Sequence, residues 1–229
     1  MSAPRPAAAG RPPRGSRKVA KPHFLERAAC TVIVLAKAPV AGYAKTRLIP
    51  ALGATAAAAL AQRLLDHALA QALAARLGPV DLCCAPDCDH PAFARLATQD
   101  RVALSCQAPG DLGQRMAQAL GRALAITPRA LLIGSDAPAL DAAMLQRAAG
   151  ALDQADAVFV PAFDGGYALV GLRRPAPSLF ADMAWSTADV MADTRQRLAA
   201  AGLRHVELPP LADIDGPADL VHLPAGWLV

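Results

Sequence analysis

Aromatic side chains are scarce in this chain: five Phe, two Tyr and two Trp make up 4% of its 229 residues. Lysine is scarcer still, supplying four of the 23 Lys and Arg residues. Five cysteines, an odd number without regular spacing, do not make a disulfide framework and fit a reducing compartment. Cys84, Cys88 and His90 lie close together, but their number and spacing do not match a structural zinc site. No apolar run approaches the roughly 20 residues needed to span a bilayer, so no membrane span is expected. The glycine-rich signatures are missing as well. Ala44 precedes Lys45 where a Walker A loop needs glycine, and the lack of a GxGxxG fingerprint argues against a nicotinamide or flavin cofactor. No Ser or Cys is set in a nucleophile elbow, which leaves hydrolase chemistry without a foothold.

What the sequence has in quantity is apolar surface, at 54% hydrophobic residues, enough for one substantial core. The formal charge of +4 is unevenly placed. Residues 1–29 hold seven Lys/Arg and one Glu, a net of +6, which leaves 16 minus 18, or −2, for the remaining 200. That first stretch is rich in Pro, Arg, Ala and Gly and poor in large apolar side chains, so it is expected to be a disordered basic tail. Residues 30–229 are expected to form a single domain. The tail lacks aromatics and periodicity, and no nucleic-acid partner is expected. Basic residues before the apolar run at 28–36 give the outline of a secretory signal. The run is short, however, and residues 31–35 are rich in β-branched side chains in the manner of a buried strand. A cytoplasmic protein is expected.

Short β-rich apolar runs alternate with longer Ala/Leu stretches of helical period, the pattern of parallel strands joined by crossover helices. It predicts strands at 31–36, 80–84, 102–106, 130–133, 157–161, 168–171 and 204–208. Helices are predicted at 55–76, 111–125, 140–152, 187–201 and 217–223. The turn residues Asp164, Gly165 and Gly166 split two of the strands and imply a hairpin or a change of direction. In an open α/β sheet the ligand sits beyond the carboxyl ends of the strands, so the loops there are the place to look for chemistry.

The loop after the first strand carries the only two lysines of residues 30–229, Lys37 and Lys45, together with Gly42 and Arg47. Ammonium point charges and a guanidinium fork on a loop leading into a helix suit phosphate groups; a solvated charged loop is the alternative. On this reading Lys45 serves the ligand and not the fold, so Lys45→Ala is expected to leave stability within about 0.5 kcal/mol, as for ordinary surface substitutions. Asp136, after the fourth strand, puts a carboxylate at the sheet edge, where it suits Mg²⁺ or Mn²⁺ bridged to a diphosphate; a turn or cap aspartate is the alternative. Asp164 with Gly165 and Gly166, and Asp213 with Asp215, are equally consistent with a site and with turn or cap roles. The helix opened by Asp111, Gly113 and Arg115 offers free N–H groups and a cation to a base or phosphate. Ser186 or Thr187 is expected to cap the next helix, with an exposed Trp185 beside it to stack on a sugar or base.

Taken in order, the blocks VLAKAPVAGYAKTRL, GDLGQRM, IGSDAPAL, PAFDGGYALVG, WST and LADIDGPADL resemble a bacterial family of GT-A-fold glycosyltransferase-like proteins. Its members are named radical-SAM/selenodomain-associated transferases, and some are assigned to arsenosugar biosynthesis. A weaker resemblance is to 2-phospho-L-lactate guanylyltransferase and other small nucleotidyltransferases. It rests on the segment from Lys45 to Leu48, on Asp164 to Gly166 and on Asp213 to Leu220, with Gly216 in place of the usual Thr. The resemblance implies a three-layer α/β nucleotide-diphospho-sugar transferase fold with a mostly parallel central sheet. It also implies a nucleotide-sugar or NTP substrate with a small-molecule acceptor. The chain departs from the pattern in having only Ser135-Asp136 after the fourth strand, where an Asp-x-Asp pair is usual, and no GxGxR loop, so a metal on Asp136 calls in Asp215. The leading expectation is metal-assisted sugar transfer, with Asp164 orienting or deprotonating the acceptor. Nucleotidyl transfer from an NTP with loss of pyrophosphate is the second reading, and a non-catalytic nucleotide-binding module the third.

Overall fold

Seven strands join one sheet in the order β3-β2-β1-β4-β6-β5-β7. The strands are β1 (Thr31–Lys37), β2 (Val80–Ala85), β3 (Val102–Cys106), β4 (Ala130–Ile133), β5 (Ala157–Pro161), β6 (Tyr167–Leu172) and β7 (His205–Glu207). The computed structural model describes residues 30–94, 96 and 101–228; the expected basic tail at 1–29 lies outside the described residues. β1 runs parallel to β2 and β4, β2 to β3 and β5 to β7, whereas β6 runs antiparallel to β4 and β5. β5 and β6 are thus the hairpin announced by Asp164, Gly165 and Gly166. β4 lies directly beside β1, with Thr31 opposite Ala130.

Six α-helices accompany the sheet among the described residues: α1 (Ile49–Leu52), α2 (Ala54–Ala74), α3 (Pro91–Ala94), α4 (Leu112–Leu124), α5 (Ala142–Ala151) and α6 (Val190–Ala200). Alternation along the strands decides which face each helix covers, because successive side chains of a strand point to opposite sides. Val32, Val34, Leu131 and Ile133 pack with Leu65 and Leu69 of α2 and Met144 and Leu145 of α5. Ile33, Ala130 and Leu132 pack on the other face with Met116 and Leu120 of α4 and Met191 and Leu198 of α6. The result is three layers, helices on both faces of a mostly parallel sheet. α4 and α5 begin where aspartates accept backbone N–H groups of the first turn: Gln114 N to Asp111 at 2.8 Å, and Met144 N to Asp141 at 2.7 Å.

A third apolar cluster positions the site. Leu48, Ala57, Leu60, Leu64 and Ile214 are buried together, with Leu220, Leu223 and Trp227 packed against them. The C-terminal segment therefore lies on α2 and on the short 3₁₀ turn Thr46–Leu48, and Arg63 holds it by donating to the carbonyls of Gly226 and Trp227, each at 2.9 Å.

Several local expectations are corrected. The segment expected as a helix at 217–223 is a 3₁₀ helix, Pro217–His222, whose N-terminus uses Asp219 to accept the N–H groups of Asp215 and Gly216. The N-cap of α6 is Asp189 and not Ser186 or Thr187; Thr187 Oγ1 donates instead to the Ala184 carbonyl at 2.9 Å. Cys88 and Cys106 are bonded as a disulfide, against the expectation that all five thiols stay reduced, because parallel β2 and β3 end side by side and their loops meet. Cys30, Cys83 and Cys84 are free and buried.

Candidate functional site

A trough crosses the carboxyl ends of β1 and β4, the point at which the strand order switches direction and open α/β sheets hold their ligands. It consists of adjoining recesses. One of about 470 Å³ is lined by Lys37, Tyr43, Lys45, Arg47, Asp136 and Asp215 among others. It shares Arg47, Asp136 and Asp215 with a recess of about 330 Å³ that also holds Asp164, Gly166, Trp185 and Asp213. On its other side it shares Lys37, Tyr43 and Gln107 with a wider recess of about 930 Å³, where Pro86, His90 and Arg115 stand. No helix among the described residues is long and apolar enough to cross a membrane.

Lys45 sits at the middle of the trough, and not as a solvated loop charge. Its backbone is left-handed, φ 48° and ψ 46°, and its side chain is 8% exposed. Nζ lies 2.9 Å from Asp136 Oδ1 and 3.0 Å from Asp215 Oδ1, and donates to the Ile214 carbonyl. Burial disfavours its charge, but the two carboxylates and their hydrogen bonds outweigh that and raise its pKa above the usual lysine value. Arg47 is 3.9 Å from Asp215 Oδ2, with its side chain 71% exposed at the mouth. Both aspartates, somewhat over 40% exposed, keep a face to solvent. The loop after β4 and the C-terminal segment are stitched together by Ile214 N donating to Asp136 O at 2.8 Å.

The acidic side of the trough also contains Asp213, which the sequence left evenly balanced between a site and a turn or cap role. Its carboxyl is pushed up to about 6, by burial first and then by the charge of Asp164, with smaller effects from Asp215 and Asp219. Asp164 lines the same recess, and its Oδ1 accepts the Gly166 N–H at 2.9 Å, so one oxygen orders the hairpin turn. Asp213 could not be separated from a helix-start aspartate on the sequence alone, because the signal is spatial: the isolated bridge between Ala162 and Leu211 runs the C-terminal segment beside the Asp164 turn.

The remaining expected residues divide. Lys37 lines the trough and donates to the Tyr43 carbonyl at 3.0 Å, and Arg115 lines the wide recess while donating from Nε to the Gly110 carbonyl at 2.9 Å. Gly42, at φ 84°, shapes the loop without lining any of these recesses. Gly165 turns the hairpin at φ 94° and accepts Met191 N at 2.8 Å. Gly113 is buried under the neighbouring loop: a Cβ there would lie 2.3 Å from the Phe180 carbonyl oxygen and 2.9 Å from Trp185 Cζ2. Its requirement for glycine is thus one of packing. Trp185 is half-buried, correcting the expectation of an exposed ring; its Nε1 is buried and its ring meets Tyr167 edge-on, with centroids 6.4 Å apart. Among the described residues no three His, Cys, Asp or Glu side chains group as a metal site. Two carboxylates and a backbone carbonyl do converge at Lys45 Nζ, a set of hard oxygen donors of the kind Mg²⁺ and Mn²⁺ accept.

With this topology and cleft the molecule has the fold of the nucleotide-diphospho-sugar transferases. A structure from Desulfovibrio desulfuricans G20, provisionally described as a nucleotide-diphospho-sugar transferase, is 32% identical over 83% of this chain and 84% of its own, with a TM-score of 0.77. The chain belongs to the DUF2064 family, described as uncharacterized proteins conserved in bacteria, whose model matches residues 68–187. More distant likenesses show the fold alone. The 4-diphosphocytidyl-2C-methyl-D-erythritol synthase of Anaerococcus prevotii DSM 20548 is 9% identical over 85% of this chain and 95% of its own, with a TM-score of 0.58. A nucleotidyl transferase from Methanothermobacter is 14% identical over 87% and 98%, with a TM-score of 0.55. No curated protein matches the chain.

Proposed function

We propose that this chain is a cytoplasmic transferase that moves a sugar from a nucleotide-diphosphate sugar to a small acceptor. The observation that carries the reading is the charge layout of one trough: Lys45, Arg47 and Lys37 on the side of the β1 loop, and Asp136, Asp164, Asp213 and Asp215 facing them. A diphosphate leaving group gathers negative charge as the glycosidic bond breaks, and cations fixed beside it stabilise that charge without reorganising. Lys45 and Arg47 would serve this role. A divalent Mg²⁺ or Mn²⁺ held by Asp136 and Asp215 would add charge neutralisation on the same diphosphate. Asp164, ordered by its bond from Gly166, is the group to orient or deprotonate the acceptor hydroxyl. Asp213 keeps its proton up to about pH 6, so it can donate a hydrogen bond to the acceptor in acid and accept one above that. The wide recess beyond Lys37, with Tyr43, Gln107 and Arg115, supplies apolar surface and polar edges for the nucleoside.

Nucleotidyl transfer is the second reading, favoured by the segment from Lys45 to Leu48, because the same cations would serve an NTP losing pyrophosphate. A thermal-shift panel of nucleoside diphosphates, nucleoside triphosphates and nucleotide sugars, with and without Mg²⁺ or Mn²⁺, tests both, since a ligand of the folded state raises the melting temperature. Stabilisation by nucleotide sugars, with release of nucleoside diphosphate on incubation with acceptors, supports sugar transfer. Pyrophosphate release from an NTP would replace it with the second reading, and no response to any nucleotide would remove both.

A further inference from the structure

The position occupied by Lys45 Nζ is a cation site in its own right. Asp136 Oδ1, Asp215 Oδ1 and the Ile214 carbonyl all meet there, two of them at 2.9 and 3.0 Å from the nitrogen. The donors are fixed from outside. Ile214 is fully buried in the cluster with Leu48 and Leu60, and its N–H binds the Asp136 carbonyl, so neither loop can retreat without breaking packing. Hard divalent ions bind oxygen donors at roughly 2.0 to 2.2 Å, so the two carboxylate oxygens would have to close in by a little under about 1 Å, and the carbonyl by less, to hold one. An ammonium and a divalent ion cannot share that point, because two positive charges a few ångströms apart in a half-buried cleft repel strongly. The lysine also has somewhere to go. Its four-carbon stem is flexible, and it lines the 470 Å³ recess into which Lys37 and Arg47 also open.

We propose that Lys45 is a resident cation that competes with a divalent metal ion for the Asp136, Asp215 and Ile214 oxygens, so that the cage admits the metal only when the ammonium is drawn off. What draws it off is an anion arriving in the adjoining recess, and this half rests on the reading of the trough as a phosphate site. The competition itself does not. Its consequence is that metal and anion bind with positive coupling, each easing the entry of the other by the same factor.

Mn²⁺ is the probe, with free Mn²⁺ followed by electron paramagnetic resonance in the absence of any nucleotide. Lys45→Met deletes the ammonium and keeps an apolar stem. The variant is expected to bind Mn²⁺ roughly tenfold or more tighter than the wild-type chain, the effect of losing a competitor held by charge-assisted hydrogen bonds. Adding Asp215→Asn should abolish the gain. The two unshielded carboxylates will also destabilise Lys45→Met, and Mn²⁺ should raise its melting temperature more than it raises that of the wild type; this arm stands even if the variant is poorly folded without metal. Equal or weaker Mn²⁺ binding by Lys45→Met, or equal thermal responses, would overturn the competition. Nucleotide titration of the wild type is a separate measurement: its failure would sink the functional reading and leave the Mn²⁺ comparison valid.

Discussion

At Lys45 the cost of burying an ammonium is offset by two carboxylates and a carbonyl, and the same contacts tie the β1 loop to the C-terminal segment. Lys45→Ala therefore does more than remove a surface charge, and the expectation of a change within 0.5 kcal/mol is revised. Because Asp136 and Asp215 remain over 40% exposed, solvent screens part of the loss, which should be on the order of 1 to 2 kcal/mol and well short of a fully buried pair. Urea unfolding of Lys45→Ala and of the wild type checks this; a difference below about 0.5 kcal/mol would return Lys45 to the class of loop charges. The loop was legible as a cation-bearing segment from the concentration of lysine in it. Its burial was not, because that depends on a segment about 170 residues further on.

Asp213 gives a pH dependence whose sign can be worked out. Its folded-state pKa, about 6, lies above the ordinary 3.8, so between those values the folded protein keeps a proton that the unfolded chain has released. Stability from this group is therefore greatest below about pH 4 and is lost as pH rises through about 6. Asp213→Asn, neutral throughout, should flatten that slope: the difference in urea midpoint between about pH 4.5 and pH 7 should be smaller in the variant, and an unchanged difference would place the acid titration elsewhere in the cluster.

At the scale of elements, Gly113 opens α4 where the sequence suggested a contact to phosphate, yet the space around it is filled by Phe180 and Trp185. Arg197 of α6 holds that covering loop by donating to the carbonyls of Ser178, Ala181 and Asp182. Gly113→Ala must push the loop away, since a Cβ 2.3 Å from a carbonyl oxygen cannot be accommodated. The cost should be about 1 to 3 kcal/mol, the usual range for overpacking. Nucleoside diphosphate affinity should change little, while acceptor KM rises through the displacement of Trp185. A large loss of nucleotide affinity with the loop intact would restore Gly113 to phosphate binding.

The elements themselves were largely legible. Short β-rich apolar runs and stretches of period 3.6 located seven strands and the four long helices to within a few residues, because the central strands are buried on both faces and each helix buries an apolar face. Three features were not. The short α3, Pro91–Ala94, and the 3₁₀ form of Pro217–His222 lack enough residues to show a period. The cap of α6 was misplaced because Thr187 forms a turn bond to Ala184, an alternative open to any hydroxyl near a helix start.

For the whole molecule, topology explains why the two halves of the site were read on different grounds, one from strand pattern and the other from motif resemblance. Lys45 and Asp136 follow β1 and β4, and the alternating pattern puts both loops at the carboxyl edge of the sheet, where the adjacency of the two strands brings them together. Asp213 and Asp215 arrive after β7 at the far edge of the sheet and return along α2, a path set by Ile214, Leu220 and Trp227 and by no periodic signal. Residues 1–29 carry +6 and are poor in large apolar side chains, whereas the rest of the chain carries −2 and, among the described residues, the core begins with Cys30. Deleting residues 1–28 should therefore leave the melting temperature and nucleotide affinity unchanged at about 0.15 M salt, where the Debye length is about 8 Å and exposed charges beyond it are screened. At about 0.01 M salt, where that length grows to about 30 Å, the full-length chain should bind nucleotide more tightly than the truncated one. Titrating one nucleoside diphosphate into both proteins at the two ionic strengths decides the matter: a difference that persists undiminished at the higher salt would mean that the basic segment contacts the ligand or the trough directly.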